Sequence, residues 1–206
     1  MKPTSNALTR LTQPGIGEAV QILVNAFTGD PLMEYLFPGH ADRPEQFGRF
    51  FQANLEYTVM VGEAYIDSSS AGVAAWLFPG DAERPVVPRQ DDPRFGLKDL
   101  LGEHTYQRLS RFTHYINKQH RELMPGSYCY LMFLGVDRAQ QGKGTGSLLI
   151  RPVLERSDQK RLPCLLDTMT AKNVAFYAKH DFEVRSETCV CGDGPRAWAM
   201  VRQPRP

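Results

Sequence analysis

Between residues 128 and 168 the chain runs from a strongly apolar strand (128–136), through a glycine-rich loop (141–147), into a helix (148–161) and on to a second apolar strand (164–168). Two strands separated by a helix cannot close as a hairpin. They pair in parallel through a right-handed crossover, with the helix lying on one face of the sheet. A short helix at 173–179 follows, and then two more strands, 182–190 and 197–202, joined too tightly for a second crossover. These closing strands predict an antiparallel edge and hence a mixed sheet. The fold class is α/β (α+β), with helices on both faces.

The first half is consistent with that frame. A short strand is expected within 7–13. Pro14-Gly15-Ile16-Gly17 then leads into a helix in which Ala19, Ile22, Leu23, Ala26 and Phe27 recur at helical spacing. Asp30-Pro31 ends it, because the ring restricts the preceding residue and cannot continue a helix. A short aromatic stretch, 32–37, precedes Pro38-Gly39, and the segment from Pro44 to Met60 is again helical. Residues 63–67 and 73–78 flank Ser68-Ser69-Ser70 and read as a hairpin feeding a buried strand. The proline-rich segment 79–96 reads as a loop, long enough to be expected functional or mobile. A helical pattern resumes over 97–123.

Composition narrows the function classes. The 206 residues carry 24 Lys+Arg against 23 Asp+Glu, a formal charge of +1, with 42% hydrophobic and 23% charged residues. That balance excludes disorder, a basic surface for non-specific nucleic-acid binding and an acidic tail. The apolar run from Val73 to Phe78 is far shorter than the roughly 20 residues of a membrane span. No apolar run stands behind the lysine of Met1-Lys2-Pro3-Thr4-Ser5-Asn6, so no signal peptide is expected. Cys129, Cys164, Cys189 and Cys191 form no disulfide framework. The Cys189-x-Cys191 pair lacks two further ligands at zinc spacing, since Cys164 and His180 stand apart, so no metal is expected. Reduced thiols, a cytoplasmic location and one domain spanning 1–206 are the expectation, with Cys189 and Cys191 on the same face of one strand.

The chemistry sits in Gln141-Gly142-Lys143-Gly144-Thr145-Gly146, between strand and helix. Glycines there let a ligand approach the backbone, and free N–H groups at a helix start favour phosphate. Two nucleotide loops fail. A Walker A loop needs glycine five residues before Gly142, where Asp137 stands, and Ser or Thr after Lys143, where Gly144 stands. A dinucleotide fingerprint needs a third glycine where Ser147 or Leu149 stands. What the loop does resemble is Gln/Arg-x-x-Gly-x-Gly/Ala of the GNAT N-acetyltransferases, through Gln141, Gly144 and Gly146. The run from Leu166 to Phe182 is similar to the family's strand followed by Asn-x-x-Phe-Tyr-x-x-x-Gly-Phe, through Asn173, Phe176, Tyr177 and Phe182. Asp181 replaces the usual glycine, and Asp tolerates the left-handed conformation such a turn needs. Leu134-Gly135-Val136, Val73-Ala74-Ala75-Trp76 and Gly194-Pro195-Arg196-Ala197-Trp198 further resemble puromycin N-acetyltransferase-like members.

The resemblance implies a GNAT fold, with a mixed central sheet of about six to seven strands. It implies acetyl-CoA as cosubstrate and direct transfer to an amine in a ternary complex. The backbone of Phe133, Leu134, Gly135 and Val136 would pair with the pantetheine arm, one N–H polarising the thioester carbonyl. Gln141, Gly142, Lys143, Gly144, Thr145, Gly146 and Ser147 would hold the pyrophosphate. Arg138 and Lys143 either add charge there or are simply solvated. Asn173 would bond the pantetheine arm or act only as a helix cap. Tyr177 would protonate the departing thiolate, or else be a core tyrosine. For the base that frees the amine, Glu34, Glu63, Asp167 and His114 are nominees. The acceptor pocket draws on residues 30–37 and 79–123, with Phe27, Tyr35, Phe37, Tyr128 and Tyr130 as candidate walls. A small-molecule primary amine is the expected acceptor. The alternatives are a protein or peptide amine, or a non-catalytic acyl-CoA-binding module. A homodimer is expected by family analogy alone.

Overall fold

The computed structural model describes residues 8–39, 44–79 and 96–206, so the N-terminal hexapeptide and nearly all of the proline-rich 79–96 segment lie outside the described residues. The strands are β1 (Leu8–Arg10), β2 (Gly62–Asp67), β3 (Gly72–Leu77), β4 (Cys129–Val136), β5 (Cys164–Thr168), β6 (Glu183–Cys189) and β7 (Arg196–Arg202). The helices are α1 (Ile16–Phe27), α2 (Pro31–Leu36), α3 (Pro44–Val61), α4 (Leu97–Leu101), α5 (Glu103–Leu123), α6 (Thr145–Gln159) and α7 (Ala171–Ala178). The strands form one sheet in the order β1-β2-β3-β4-β5-β7-β6. Among the described strands only β4 and β5 pair in parallel, and the β5–β7 and β7–β6 contacts are antiparallel, as the short final connection requires.

Alternation along the strands divides the interior into two layers. Ala75, Leu77, Tyr130, Phe133 and Leu165 face α1 to α5. Ala74, Trp76, Leu131, Leu166 and Met200 face α6 and α7, where they meet Leu149, Ile150, Val153 and Tyr177. Every residue of β3 is buried, as expected for a strand covered on both faces. The β2–β3 turn is held by Asp67, whose Oδ1 accepts from the Ala71 and Gly72 N–H groups at 2.8 and 2.6 Å. α1 lies directly on β4 because position 135 is glycine. A Cβ there would stand 2.7 Å from Leu23 Cδ2 and 3.0 Å from Ala26 Cβ.

Two local expectations change, and the stretch 32–37, given no element from sequence, gains one. The helical run at 97–123 is two helices, separated at Gly102. The aromatic stretch 32–37 is mostly helix α2, because Asp30 does more than stop α1. Its Oδ1 accepts from the N–H groups of Leu32 and Met33 at 2.9 and 3.2 Å, and Pro31 takes the first helical position. Cys189 and Cys191 do not share a strand face. β6 ends at Cys189, and Cys191 sits in a 3-10 turn with φ +52°. Asp181 does adopt the left-handed turn conformation, φ +64°.

Candidate active site

The site is built by a failure of pairing. β4 and β5 are in register only from Cys129–Leu131 against Cys164–Leu166. Beyond Leu131 the two strands part, and β4 continues to Val136 paired only with β3. The parting coincides with a bulge. Ala75 pairs with Phe133 but Trp76 pairs with Leu131, so Met132 is the extra residue. Its insertion puts Met132 and Phe133 successively toward the α1–α5 layer. The N–H and C=O groups of β4 on the β5 side thus form an internal sheet edge.

A cavity of about 140 Å³ fills the fork. Leu131, Met132, Leu134, Gly135 and Val136 line it from β4, and Asp167, Thr168 and Met169 from β5. Asn173 and Tyr177 come from α7, with Ala26, Phe27 and Asp30 from the far side and Gln141 from the loop. Phe133 differs from the other β4 candidates. Its ring joins Phe27, Phe50 and Phe51 at centroid distances of 5.9, 6.0 and 5.3 Å, and only its backbone belongs to the open edge. Asn173 is not the cap of α7. That cap is Thr170, whose Oγ1 accepts the Asn173 N–H at 3.3 Å, which leaves the Asn173 side chain to the cavity wall.

The glycine loop follows the open end of β4. Gly142 and Gly144 have φ of +79° and +89°, and nothing lies within 4 Å of a Cβ built at either, so glycine is needed there for conformation rather than for space. Gly144 precedes Thr145 at the head of α6 and offers no side-chain acceptor, so the first N–H groups of α6 have no side-chain cap. Thr145 is buried, and Ser147 Oγ lies 2.9 Å from His180 Nε2. A Cβ on Gly146 would come within 3.2 Å of Phe176, so this glycine lets α6 and α7 close on each other. Lys143 Nζ donates to Gln140 Oε1 at 2.8 Å, Lys172 Nζ to Gln141 Oε1 at 3.2 Å, and Arg138 to the Thr28 carbonyl.

Electrostatics within the fork are set by burial and two carboxylates. Burial pushes the Tyr177 phenol well above its ordinary value near 10, and the nearby negative charge of Asp30 pushes it further. Burial likewise raises the Asp30 carboxyl, against the opposing pull of the Met33 and Leu32 N–H groups. The Asp167 side chain is buried, its Oδ2 2.7 Å from His120 Nε2 and accepting from the Tyr130 hydroxyl at 3.1 Å. Burial and the negative charge of Asp167 raise the Tyr130 phenol well above its usual range.

Of the four nominated bases, Asp167 alone lines the fork. Glu34 and His114 are on the exposed faces of α2 and α5. Glu63 sits at a separate cavity of about 450 Å³, already bound by Arg156 at 2.6 Å and by the Tyr65 hydroxyl at 2.5 Å. Burial acts to raise the Glu63 carboxyl, but the Arg156 and Tyr65 hydrogen bonds outweigh it and hold it below the ordinary range. Among the candidate walls, Phe27 lines the fork and Tyr130 an adjoining apolar cavity. Phe37 packs on Phe47 and Phe50, and Tyr35 donates to Asp193 at 3.0 Å. Tyr128 is buried beside His120, with ring centroids 6.0 Å apart, and burial pushes its phenol up to about 12. Sequence reasoning missed His120. Its signal is a histidine in the buried stripe of α5, after Thr105, Leu109, Thr113 and Ile116.

The Acetyltransferase (GNAT) family matches residues 40–182, more than half of the sequence, and the chain belongs to that family of N-acetyltransferases. It is similar to an uncharacterized N-acetyltransferase of Schizosaccharomyces pombe, 26% identical over 208 residues, covering 96% of this chain and 83% of that one. Among solved structures, a Corynebacterium glutamicum protein described as histone acetyltransferase HPA2 and related acetyltransferase superposes with a TM-score of 0.73. It is 20% identical, with 98% of both chains covered. Arylalkylamine N-acetyltransferase 2 from Aedes aegypti has a TM-score of 0.67 at 14% identity, covering 98% of this chain and all of that one. An agmatine N-acetyltransferase has a TM-score of 0.64 at 12% identity, with 96% and 98% covered. The structural likenesses bear on the fold, which is the mixed sheet with helices on both faces anticipated from sequence.

Proposed function

We propose that this chain transfers the acetyl group of acetyl-CoA to the primary amine of a small molecule, directly, with both substrates bound at once. The observation that carries this reading is the fork itself. The unpaired edge of β4 at 132–136, the Asn173 side chain and Tyr177 face one cavity, and the uncapped head of α6 follows that edge in the chain. An extended pantetheine arm finds in that edge the hydrogen-bonding row of a missing strand. The N–H groups from Gly142 to Ser147, at a helix start, suit a pyrophosphate. A β4 N–H just past the bulge polarises the thioester carbonyl in this reading. Tyr177 carries the proton for the departing thiolate. A phenol stays protonated through neutral pH, and a thiol with a reference value of about 8.5 leaves readily once protonated.

The acceptor side favours an amine with an apolar body. Asp30 and Asp167 give the fork negative charge that attracts an ammonium group. The adjoining cavity, about 70 Å³, is walled by Met33, Leu36, Phe50, Phe112, Ile116 and Phe133, and shares Met132 with the fork. The arylalkylamine and agmatine specificities in the names of the structural relatives agree with a small amine. The test is acetyl-CoA with a panel of arylalkylamines, agmatine, a puromycin-like aminonucleoside and peptides with free N-termini, read by mass spectrometry. The reading predicts an acetylated small amine and a raised melting temperature with acetyl-CoA alone. Acetylation of the peptides only would overturn the acceptor class, and no thermal shift would overturn the cofactor site.

A further inference from the structure

We infer that Asp167 is the group that takes the proton from the acceptor amine, and that His120, reaching it from α5, is the residue that aims it. The assignment rests on the acetyl-transfer reading above and supplies the base that reading leaves open.

The hydrogen bonding of the Asp167 carboxylate is incomplete. Asp167 and His120 side chains are 4% and 2% exposed. A carboxylate buried this deeply is retained only with its acceptor sites filled. Asp167 Oδ2 is filled twice, by His120 Nε2 at 2.7 Å and by the Tyr130 hydroxyl at 3.1 Å. Asp167 Oδ1 is buried and has no partner among the described residues. Asp167 also lines the fork in which Tyr177 and the open edge of β4 stand. One oxygen is therefore anchored while the other has no protein partner, on a residue that lines the fork, and an ammonium reaching it from the fork is a donor of the required kind.

The tautomer agrees with this. A phenol can only donate to a carboxylate oxygen that is itself an acceptor, so His120 Nε2 supplies the second proton on Oδ2. The other ring nitrogen, Nδ1, is buried without a partner among the described residues. Held by two donors, the carboxylate plane is fixed, as a reacting group must be. The titratable groups against this pair are Tyr128, just before β4, and Tyr130 on β4; beyond them Arg121 acts on Tyr128, Tyr177 on Tyr130, and Asp30 on Tyr177.

The proton balance closes. The ammonium gives one proton to Asp167 Oδ1. The freed lone pair forms the N–C bond, the C–S bond breaks, and sulfur takes the electron pair together with the Tyr177 proton. The second amine proton returns to the phenolate, and Asp167 releases its own to solvent as products leave.

The test is Asp167→Asn, which keeps shape and hydrogen bonding but accepts no proton. With phenethylamine and agmatine as probes, kcat should fall by roughly 10²-fold or more while the acetyl-CoA thermal shift stays. The residual rate should climb tenfold per pH unit up to the amine's own pKa, because only amine already neutral in solution can then react. Basal hydrolysis of acetyl-CoA, with water in place of the amine, gives the same comparison without an acceptor. His120→Gln, which retains an N–H donor, should keep more activity than His120→Phe at unchanged KM for acetyl-CoA. An Asp167→Asn protein that binds acetyl-CoA and turns over within about threefold of wild type at every pH overturns the assignment alone. A wild type that neither binds nor consumes acetyl-CoA overturns the underlying reading and this assignment with it.

Discussion

Replacing Tyr177 with phenylalanine is expected to lower kcat by roughly 10²- to 10⁴-fold, the range that one positioned proton donor contributes, with little change in affinity for acetyl-CoA. The phenylalanine ring refills the same space against Phe176 and Phe182, at centroid distances of 5.1 and 5.8 Å, so the fold and the fork survive. Only the O–H is lost. Because burial and Asp30 raise the Tyr177 phenol above its ordinary value, it remains a proton donor well past neutrality. The wild-type kcat should accordingly show no alkaline decline below pH about 10. Steady-state kinetics over pH 6–10, with isothermal titration of acetyl-CoA into both proteins, checks all three points. A Tyr177→Phe enzyme with wild-type kcat would remove the tyrosine from the chemistry.

A second large effect is expected far from any reacting atom. Phe51 on α3 is fully buried, and its ring meets those of Phe27, Phe47, Phe50 and Phe133 at 5.4, 5.1, 5.3 and 5.3 Å. Phe51→Ala should cost about 3–5 kcal/mol, through lost burial and the void left behind. For a chain of this size that lowers the melting temperature by on the order of 10 °C. The void opens behind Phe133, next to the bulge at Met132, so acetyl-CoA should also bind less tightly even well below the melting temperature. Thermal unfolding followed with and without acetyl-CoA measures both. A melting temperature within about 2 °C of wild type would show that this cluster does not carry the α3–β4 packing.

These two residues mark what the sequence makes legible and what it does not. Tyr177 is readable because its neighbourhood is local: strand, turn and helix follow one another within 166–182, and each step has its own signal. The crossover at 128–168 is readable for the same reason. The fork is not. It depends on where β4 stops pairing with β5 and on a one-residue slip against β3, and the register of strands so far apart in sequence leaves no trace in either strand alone. Asp167 can be nominated from its place after a strand. Its partner His120, 47 residues away, meets it only because α5 crosses that layer. Asp30 reads as a helix stop, yet it caps α2 and places its charge near Tyr177. Cys191 fails for a smaller reason. Alternation predicts a continuing strand, and the tight return to β7 takes a left-handed residue instead.

In the proposed function, acetyl-CoA occupies the gap between β4 and β5. Amide hydrogen exchange, with and without acetyl-CoA, tests it most directly. The free N–H groups of 132–136 on the β5 side and those of 142–147 should exchange quickly alone and slow strongly on binding. Amides of the outer strands β1 and β6 should not change. Protection confined to the cavity around Glu63 and Arg156, or none along β4 and the glycine loop at saturating acetyl-CoA, would contradict the account.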